Sequence, residues 1–443
     1  MKHWKTTTPL VWTALAFLFA SGAAVRATDT NVERQLQLLQ QQNDALQSQL
    51  QKQQELIDAL RREVTGIRET TTQRGDEIKT LREESELETP SSTSGFSVGK
   101  VQISGEGGIG WFETGSEGAF PNSEFRVDEA KLFVDAPVWG NVYAFAELNL
   151  ASHDASDVDL KLGELYLDIE DVSQLWGKDR QLNLRLGRID IPFGEEYQYR
   201  DAIDNPLITH SLTDVWGVDE GIEFYGAFGK VTYAAAIQNG GIPTTRDFTS
   251  DKSIAGRLSY DPKRWLHLSV SGMRTGDLDV ADDGLSEAWF GSGWFRSIGA
   301  TATTFHANLV QGDLEFRLPR GHVKTFGGYV HYGDNDPSAQ NRRDVYYYSV
   351  EGVFDVTRKF YAAARFGQVF APNGFPLVGN GNSDDYLFGP LTEDLWRLSL
   401  GLGYRWNRHF VVKAEYLIER GKETSGGKRN HEDMIATEAA FGF

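Results

Sequence analysis

Apolar and polar residues alternate strictly from Trp396 to Trp406, where the chain reads WRLSLGLGYRW. Every second residue is large and apolar, with aromatic residues toward the ends and leucine between them, while arginine, serine or glycine occupies the other positions. A period of two places successive side chains on opposite faces of a β-strand. The segment is longer than a typical strand of about 5–6 residues and matches the roughly 9–11 residues that cross a bilayer at a tilt. The pattern therefore favours a membrane-crossing strand with aromatic girdles over a strand of a soluble sandwich, and the rest of the chain decides between the two.

The alternation recurs from Phe96 onward, and the connections between alternating segments differ systematically in length. Tight connections at 137–141, 229–230, 261–264, 318–321, 357–358 and 407–408 alternate with long polar ones at 112–124, 152–159, 192–219, 240–251, 275–305, 333–343, 371–393 and 421–433. A water-soluble sheet has no reason to separate loop lengths by end, whereas an outer-membrane barrel has short periplasmic turns and long outer loops. Eight long loops predict an all-β transmembrane barrel of about sixteen antiparallel strands over residues 96–443.

The chain ends in IATEAAFGF, which places Ile435, Ala439, Phe441 and the terminal Phe443 on one face. We expect this last strand to close the barrel against the first. The apolar face of the 396–406 segment then faces lipid, and its Arg/Ser/Gly face lines a lumen. A barrel of sixteen strands is wide enough to leave an aqueous channel.

Two segments precede the predicted barrel. Residues 1–27 have two lysines and the apolar run PLVWTALAFLFA, and Val25 and Ala27 put short side chains at the −3 and −1 positions of a cut after Ala27. This predicts a cleaved signal peptide, with a retained helical anchor as the alternative. Heptads with mostly apolar a and d positions run through residues 32–81 and predict a periplasmic coiled coil over 28–87, followed by a linker at 88–95. The alternative for this segment is a disordered Gln-rich linker.

Composition excludes several other classes. The chain has 443 residues and no cysteine, so thiolate metal sites and cysteine catalysis are excluded. A mean hydropathy of −0.41 excludes a multi-pass helical membrane protein, and a net charge of −19 disfavours a nucleic-acid partner. The histidines lack HExxH spacing and no GxSxG occurs, so we expect no enzyme activity and no cofactor.

The stretch RLGRIDIPFGEEYQ resembles the phosphate-selective porin O/P family of outer-membrane channels, through Gly187, Arg188, Pro192, Phe193, Gly194 and Glu195. The resemblance covers about residues 96–443. It implies a homotrimer in outer-membrane lipid and lipopolysaccharide, with one channel per subunit narrowed by an inward-folded loop. It also implies passive diffusion of small hydrophilic solutes or ions, with anions such as phosphate among them.

The predicted lumen departs from the arginine- and lysine-lined channels that the resemblance implies. The expected inward basic residues are Lys131, Arg185, Arg257, Arg317, Arg365, Arg397, Arg405 and Lys413. The expected inward acids equal them in number and are Glu129, Asp135, Glu147, Asp313, Glu315, Glu351, Glu415 and Glu438. A balanced lumen predicts weak ion selectivity.

The loop at 194–221 is long and rich in tyrosine, leucine and isoleucine, which predicts that it folds inward and buries Tyr199, Ile203, Leu207 and Trp216. Gly187 interrupts the alternation before this loop and predicts a bulge that turns Arg188 and Asp190 toward the lumen above Arg185. The residues expected to line the pore or its constriction are Arg185, Arg188, Asp190, Glu195, Glu196, Arg200, Asp201, Asp204, Arg365, Arg397, Arg405 and Lys413. The alternative is an outer loop packed at the centre of a trimer.

Two further functions remain open. The loop at 275–305 contains a dense aromatic set with one arginine, namely Trp289, Phe290, Trp294, Phe295 and Arg296, which favours either sugar stacking in a substrate-specific channel or, with more weight, packing between loops or subunits. The other alternative is an envelope tether that joins the outer membrane to peptidoglycan through the coiled coil.

Overall fold

A single closed sheet forms the described part of the molecule. The computed structural model describes residues 96–98, 100–151, 160–215, 217–241, 247–282, 302–338, 341–387 and 389–443. These contain nineteen strands in one sheet, and three of them are only two or three residues long. The remaining sixteen are β1 (Val101–Thr114), β2 (Glu124–Trp139), β3 (Val142–Ala151), β4 (Lys161–Ile169), β5 (Asn183–Asp190), β6 (Val218–Phe228), β7 (Val231–Gln238), β8 (Ser253–Lys263), β9 (Leu266–Arg274), β10 (Thr304–Leu318), β11 (Gly321–Asp334), β12 (Arg343–Asp355), β13 (Phe360–Phe375), β14 (Thr392–Asn407), β15 (Phe410–Glu423) and β16 (Met434–Gly442).

The last strand pairs with the first, as the C-terminal pattern predicts. Phe441 of β16 lies opposite Gly107 of β1 in an antiparallel ladder. The terminal Phe443 exchanges two backbone hydrogen bonds with Gly105, at 3.1 and 2.8 Å. A Cβ at position 105 would lie 2.7 Å from the Phe443 ring, so glycine makes room for the terminal aromatic side chain. Closure leaves the sheet with no unpaired edge, and the predicted closed barrel of sixteen antiparallel strands is confirmed.

Short and long connections alternate around the barrel, so the long loops gather at one end. One connection at the short end, residues 170–182 between β4 and β5, is longer than a turn and contains a 3₁₀ helix at Val172–Trp176. This connection is not among the predicted tight turns, because its sequence lacks a two-residue turn motif. A short helix, Ser383–Leu387, lies in the long connection between β13 and β14.

The two faces of the strands have the predicted chemistry. In β14, Leu400 and Leu402 are 46% and 64% exposed on the outer face, whereas Arg397 and Ser399 are 8% and 1% exposed on the inner face. Apolar outer faces and polar inner faces are the pattern of a barrel that sits in lipid. Within the described ranges, no helix is both long and apolar enough to cross a membrane.

The bulge predicted at Gly187 is absent from the strand pairing. β5 pairs with β6 without a register shift from Asn183 to Asp190. Gly187 instead has a φ of +143°, and a Cβ there would lie 2.2 Å from the Leu165 carbonyl oxygen. The glycine therefore allows two strands to approach closely and does not form a bulge.

The predicted signal peptide, coiled coil and linker, together with Trp216 and the aromatic residues at 289–296, lie outside the described residues.

The two faces of the strands should differ in how well they tolerate a substituted charged residue. We expect Leu400→Arg to lower the free energy of unfolding by about 2–4 kcal/mol, because it puts a charge on the lipid face near the strand centre. The matched variant is Thr232→Arg, since Thr232 is exposed and lines a cavity inside the barrel. Urea titration of both variants in lipid vesicles measures the difference, and equal stability would contradict the assigned faces.

Candidate functional site

The connection between β5 and β6, residues 191–217, turns into the barrel immediately after β5. Pro192 cannot donate to the strand ladder, and Gly194 has a φ of +68°, which favours glycine. The Gly194 N–H donates to Ser271 Oγ at 3.0 Å, and its carbonyl oxygen accepts from Arg257 Nη1 at 2.9 Å. Phe193 is buried in the main apolar cluster beside these contacts. The Pro-Phe-Gly sequence thus fixes the direction of the loop against the inner wall.

Glu195 ties the start of the loop to strands β8 and β9. Its carboxylate accepts from Ser259 Oγ at 2.9 Å and lies 3.1 Å from His267 Nε2. Burial acts to raise the pKa of Glu195, but His267, Arg257 and Ser259 outweigh it and lower the pKa to about 2. This carboxylate is a permanent charge that is already paired by the wall.

Glu196 and Arg200 hold the two halves of the loop together. Buried Glu196 accepts from the backbone N–H and Oγ of Ser211, at 2.8 and 2.5 Å. Burial, reinforced by the nearby Asp214 carboxylate, raises the pKa of Glu196 to about 7. Arg200 donates to Asp214 at 3.0 Å and contacts His210 at 2.9 Å. These side chains act within the loop, not at an opening.

The opposite wall supplies partners for the backbone of the loop. Arg365 donates to the Thr209 carbonyl oxygen at 2.7 Å and to Glu351 at 2.8 Å. The Glu415 carboxylate accepts three hydrogen bonds of 2.7–2.9 Å, from the N–H groups of Ile208 and Thr209 and from Thr209 Oγ1. Backbone groups taken out of water need such partners, so the wall holds the loop in a defined path.

Two more basic residues of this wall bind loop carbonyls. Lys413 Nζ donates to the carbonyl oxygens of Ala202 and Leu207, at 2.7 and 2.9 Å, and pairs with Glu438 at 2.6 Å. Arg397 donates to the His210 carbonyl oxygen at 3.3 Å while its Nε donates to Glu419 at 2.6 Å. Each cation therefore has an acid of its own beside the loop.

The loop also contacts β2, which lies three strands beyond β15 in the closed sheet. The Ala202 N–H donates to Glu129 Oε2 at 2.8 Å. Lys131 Nζ forms ion pairs with Asp201 of the loop and, at 2.7 Å, with Glu129. The loop is therefore anchored on β8 and β9 near its start and on β13–β15 and β2 farther along, so it lies across the barrel interior.

Apolar contacts reinforce these anchors. Leu207 is buried in a cluster with Val353 and Tyr361 of the wall. A Cβ at Gly401 would lie 2.4 Å from Leu207 Cδ2, so a glycine on β14 makes room for the leucine. The Tyr199 ring lies 3.2 Å from Lys324 Nζ, within the range of a cation–π contact.

Open space remains along the wall from β2 to β8. Two cavities of about 350 and 450 Å³ lie there toward the short-turn end. The hydrogen bonds described above join the loop to β2, β8, β9 and β13–β15, and Asp204 of the loop is exposed within the barrel. The loop thus divides the lumen into a filled side and an open side.

The remaining residues expected to line the pore fall in different places. Arg185 faces the open side, 3.2 Å from both Asp168 and Glu223. Asp190 is the last residue of β5, where the chain turns into the barrel. Its side chain lies within electrostatic reach of Lys131 and of Asp201 in the loop, and its N–H donates to Glu164 at 3.1 Å. Arg405 is near the short-turn end and pairs with Asp355 at 2.7 Å.

Arg188 lies on the outer face rather than in the lumen. It stands opposite Leu165 and Glu220 in the two neighbouring ladders, and Leu165 is an exposed outer-face residue. Arg188 Nε pairs with Glu220 at 2.9 Å on the same face. The expectation that Arg188 faces the lumen depended on the bulge at Gly187, and without a shift in register the side chain keeps its outward position.

Sequence reasoning did not assign the residues that anchor the loop. From the sequence, Glu129 and Glu415 are predicted only to be inward acids, and no loop contact is predicted for His267. One feature of the sequence could have indicated these roles. A loop that folds into the barrel carries backbone N–H and carbonyl groups that need partners, and inward charged residues on the facing strands can supply them.

No family model matches the chain, and no curated protein matches it in sequence. Among solved structures it is similar to the outer membrane channel DcaP of Acinetobacter baumannii, with 13% identity and a TM-score of 0.52 over 79% of this chain and 99% of that one. It is also similar to OmpT, an outer membrane protein of Vibrio cholerae, with 12% identity and a TM-score of 0.53 over 80% of this chain and 100% of that one. A trimer form of OmpT matches with 12% identity and a TM-score of 0.51, over 78% of this chain and all of that one.

These similarities show the fold alone. The described barrel has the fold of outer-membrane porins and channels. Membership of the phosphate-selective porin O/P family stays a prediction.

The Glu415 contacts predict a cost for removing one charge. We expect Glu415→Gln to lower the free energy of unfolding by about 2 kcal/mol, because an amide has only one acceptor oxygen for the donors that face this buried carboxylate. The loop should also become sensitive to protease. The matched variant is Glu113→Gln at the exposed end of β1, and urea titration with limited proteolysis compares the two. Unchanged stability and protease resistance in Glu415→Gln would show that Glu415 does not hold the loop.

Proposed function

We propose that this protein is an outer-membrane porin through which small hydrophilic solutes or ions diffuse passively. The observation that carries the proposal is a closed sixteen-stranded barrel whose interior is only partly filled by its own loop. A barrel of this size encloses an aqueous channel. The apolar outer face and the fold of the structural neighbours support a position in the outer membrane. Passive diffusion requires no catalytic group, so the proposed role is not enzymatic.

The proposed constriction lies between the loop and the open wall. The proposal places Asp201 and Asp204 on the loop side of this constriction and Arg185 and Asp190 on the wall side. The other inward candidates have a supporting role in this proposal, because Glu195, Glu196, Arg200, Arg365, Arg397 and Lys413 hold the loop through the contacts described above. Arg405 borders the mouth at the short-turn end.

The absence of cysteine makes accessibility a clean test of the constriction. We expect Asp204→Cys to conduct in a planar bilayer and to lose most of its current after reaction with a cationic methanethiosulfonate. The reason is that the exposed Asp204 position borders the proposed opening and the adduct narrows it. The control is Thr357→Cys on the exposed turn between β12 and β13, which should react without loss of current. Equal effects would contradict the proposed path.

We further propose that the protein is a homotrimer with a periplasmic coiled coil at 28–87. The family resemblance and the heptads support this assembly, and a trimer form of OmpT has the same fold. Cross-linking of the mature protein in detergent should give a three-subunit product. Removal of residues 28–87 should leave that product intact, because barrel contacts bury more apolar surface than the coiled-coil seam. A two-subunit product would contradict the trimer.

A further inference from the structure

The inner wall on the open side carries an excess of acid. Among the described residues, the inward side chains of β3–β6 include only two bases, Arg185 and, at the long-loop end, Lys161. The same strands place six carboxyl groups inside the barrel, namely Glu147, Glu164, Asp168, Asp190, Asp219 and Glu223. The balance of charge expected from the sequence does not hold on this wall.

On the wall that holds the loop, each of the three bases that bind the loop is paired with an acid. Arg365 pairs with Glu351, and Arg397 pairs with Glu419. Lys413 completes the set with Glu438. All six side chains are buried under or beside the loop. These cations are therefore neutralised and shielded from a solute in the open half of the lumen.

Arg185 offers little positive charge to a solute. Its guanidinium lies 3.2 Å from Asp168 and from Glu223, so two carboxylates already compensate it. Its faces are covered by the rings of Tyr166 and Tyr225, with centroids 5.0 and 4.5 Å away. Strong hydrogen bonds and cation–π contacts fix the group as part of the wall.

Acids also face each other across the proposed opening. Asp190 lies within electrostatic reach of Glu147, Glu164 and Asp201 of the loop. The base beside this group is Lys131, which is held between Asp201 and Glu129. The carboxyl groups of this part of the opening therefore outnumber its bases.

We infer that the opening between the loop and the β3–β6 wall passes small cations in preference to anions. This rests on the proposed channel function. Charged side chains around a narrow pore set its ion preference, and a low-dielectric wall concentrates their field in the opening. The acids recruit cations, while the bases that could recruit anions are occupied in holding the loop. The inferred solute class is opposite in charge to the phosphate that the family resemblance implies.

Reversal potentials of the full-length mature protein in a planar bilayer under a KCl gradient test the inference. We expect a potassium-to-chloride permeability ratio above unity for the unaltered protein. In the double variant Glu147→Gln with Asp190→Asn, the ratio should fall by about fivefold, because two charges near the ion path are removed. The control variant is Glu113→Gln with Asp344→Asn, which removes two acids from the outer face and should leave the ratio unchanged.

The outcomes separate the inference from the function on which it rests. Chloride preference or no preference in the unaltered protein, with clear conductance steps, would overturn the inference and leave the channel in place. Absence of conductance would overturn the proposed function and the inference with it. If the double variant does not fold, the single variant Glu147→Gln replaces it and should shift the ratio in the same direction. A ratio that responds equally to the lumen and outer-face variants would also overturn the inference.

Discussion

A polypeptide segment inside a barrel must find partners for its own backbone. The loop at 191–217 carries its N–H and carbonyl groups into the lumen, where buried polar groups without partners would cost about 1–3 kcal/mol each. The wall meets this need with ionised side chains: Glu415 accepts from two loop N–H groups, while Lys413 and Arg365 donate to loop carbonyls. Such charge-assisted hydrogen bonds are stronger than neutral ones.

This arrangement gives the two halves of the lumen different electrostatics. On the β12–β15 side, each basic residue that binds the loop also has a nearby carboxylate, such as Glu351 for Arg365. That half is filled, and the bases that bind the loop there are compensated by these acids. On the β3–β6 side, the inward acids of the described residues outnumber the bases, and Arg185 is shared between Asp168 and Glu223. The loop is held against the β12–β15 wall, and this determines both where the proposed opening lies and which charged residues line it.

Much of the barrel was predictable from the sequence because its main signals are local. Alternation along β14 and the aromatic residue at Phe443 each depend on a few consecutive residues. The roles of Glu195 and Lys413 could not be read in this way, because their partners are distant in sequence. Lys413 binds carbonyls more than 200 residues away, and a charge that anchors a loop has the same residue type as one that lines a pore.

The position of Arg188 could not be predicted from the sequence for a second reason. A glycine that interrupts alternation is consistent with a bulge or with a close approach of two strands, and the two interpretations put the next side chain on opposite faces. The short distance between Gly187 and the Leu165 carbonyl oxygen shows that the glycine allows a close approach. That distance depends on the neighbouring strand, which the local sequence does not describe. The eight inward acids expected from the sequence likewise omitted Glu164, because the β3–β4 pairing shifts register between Ala146 and Leu148.

Formation of a disulfide between the loop and the far wall tests most directly whether the loop crosses the lumen. In the cysteine-free chain, Leu207→Cys combined with Gly401→Cys brings two thiols together where the leucine now meets the glycine. Our account predicts that mild oxidation of the folded protein closes this pair, seen as faster migration in denaturing electrophoresis. Leu207→Cys with Gly352→Cys, a position on the outer face, should remain reduced. A reduced 207–401 pair under conditions that oxidise exposed thiols would contradict an inward loop.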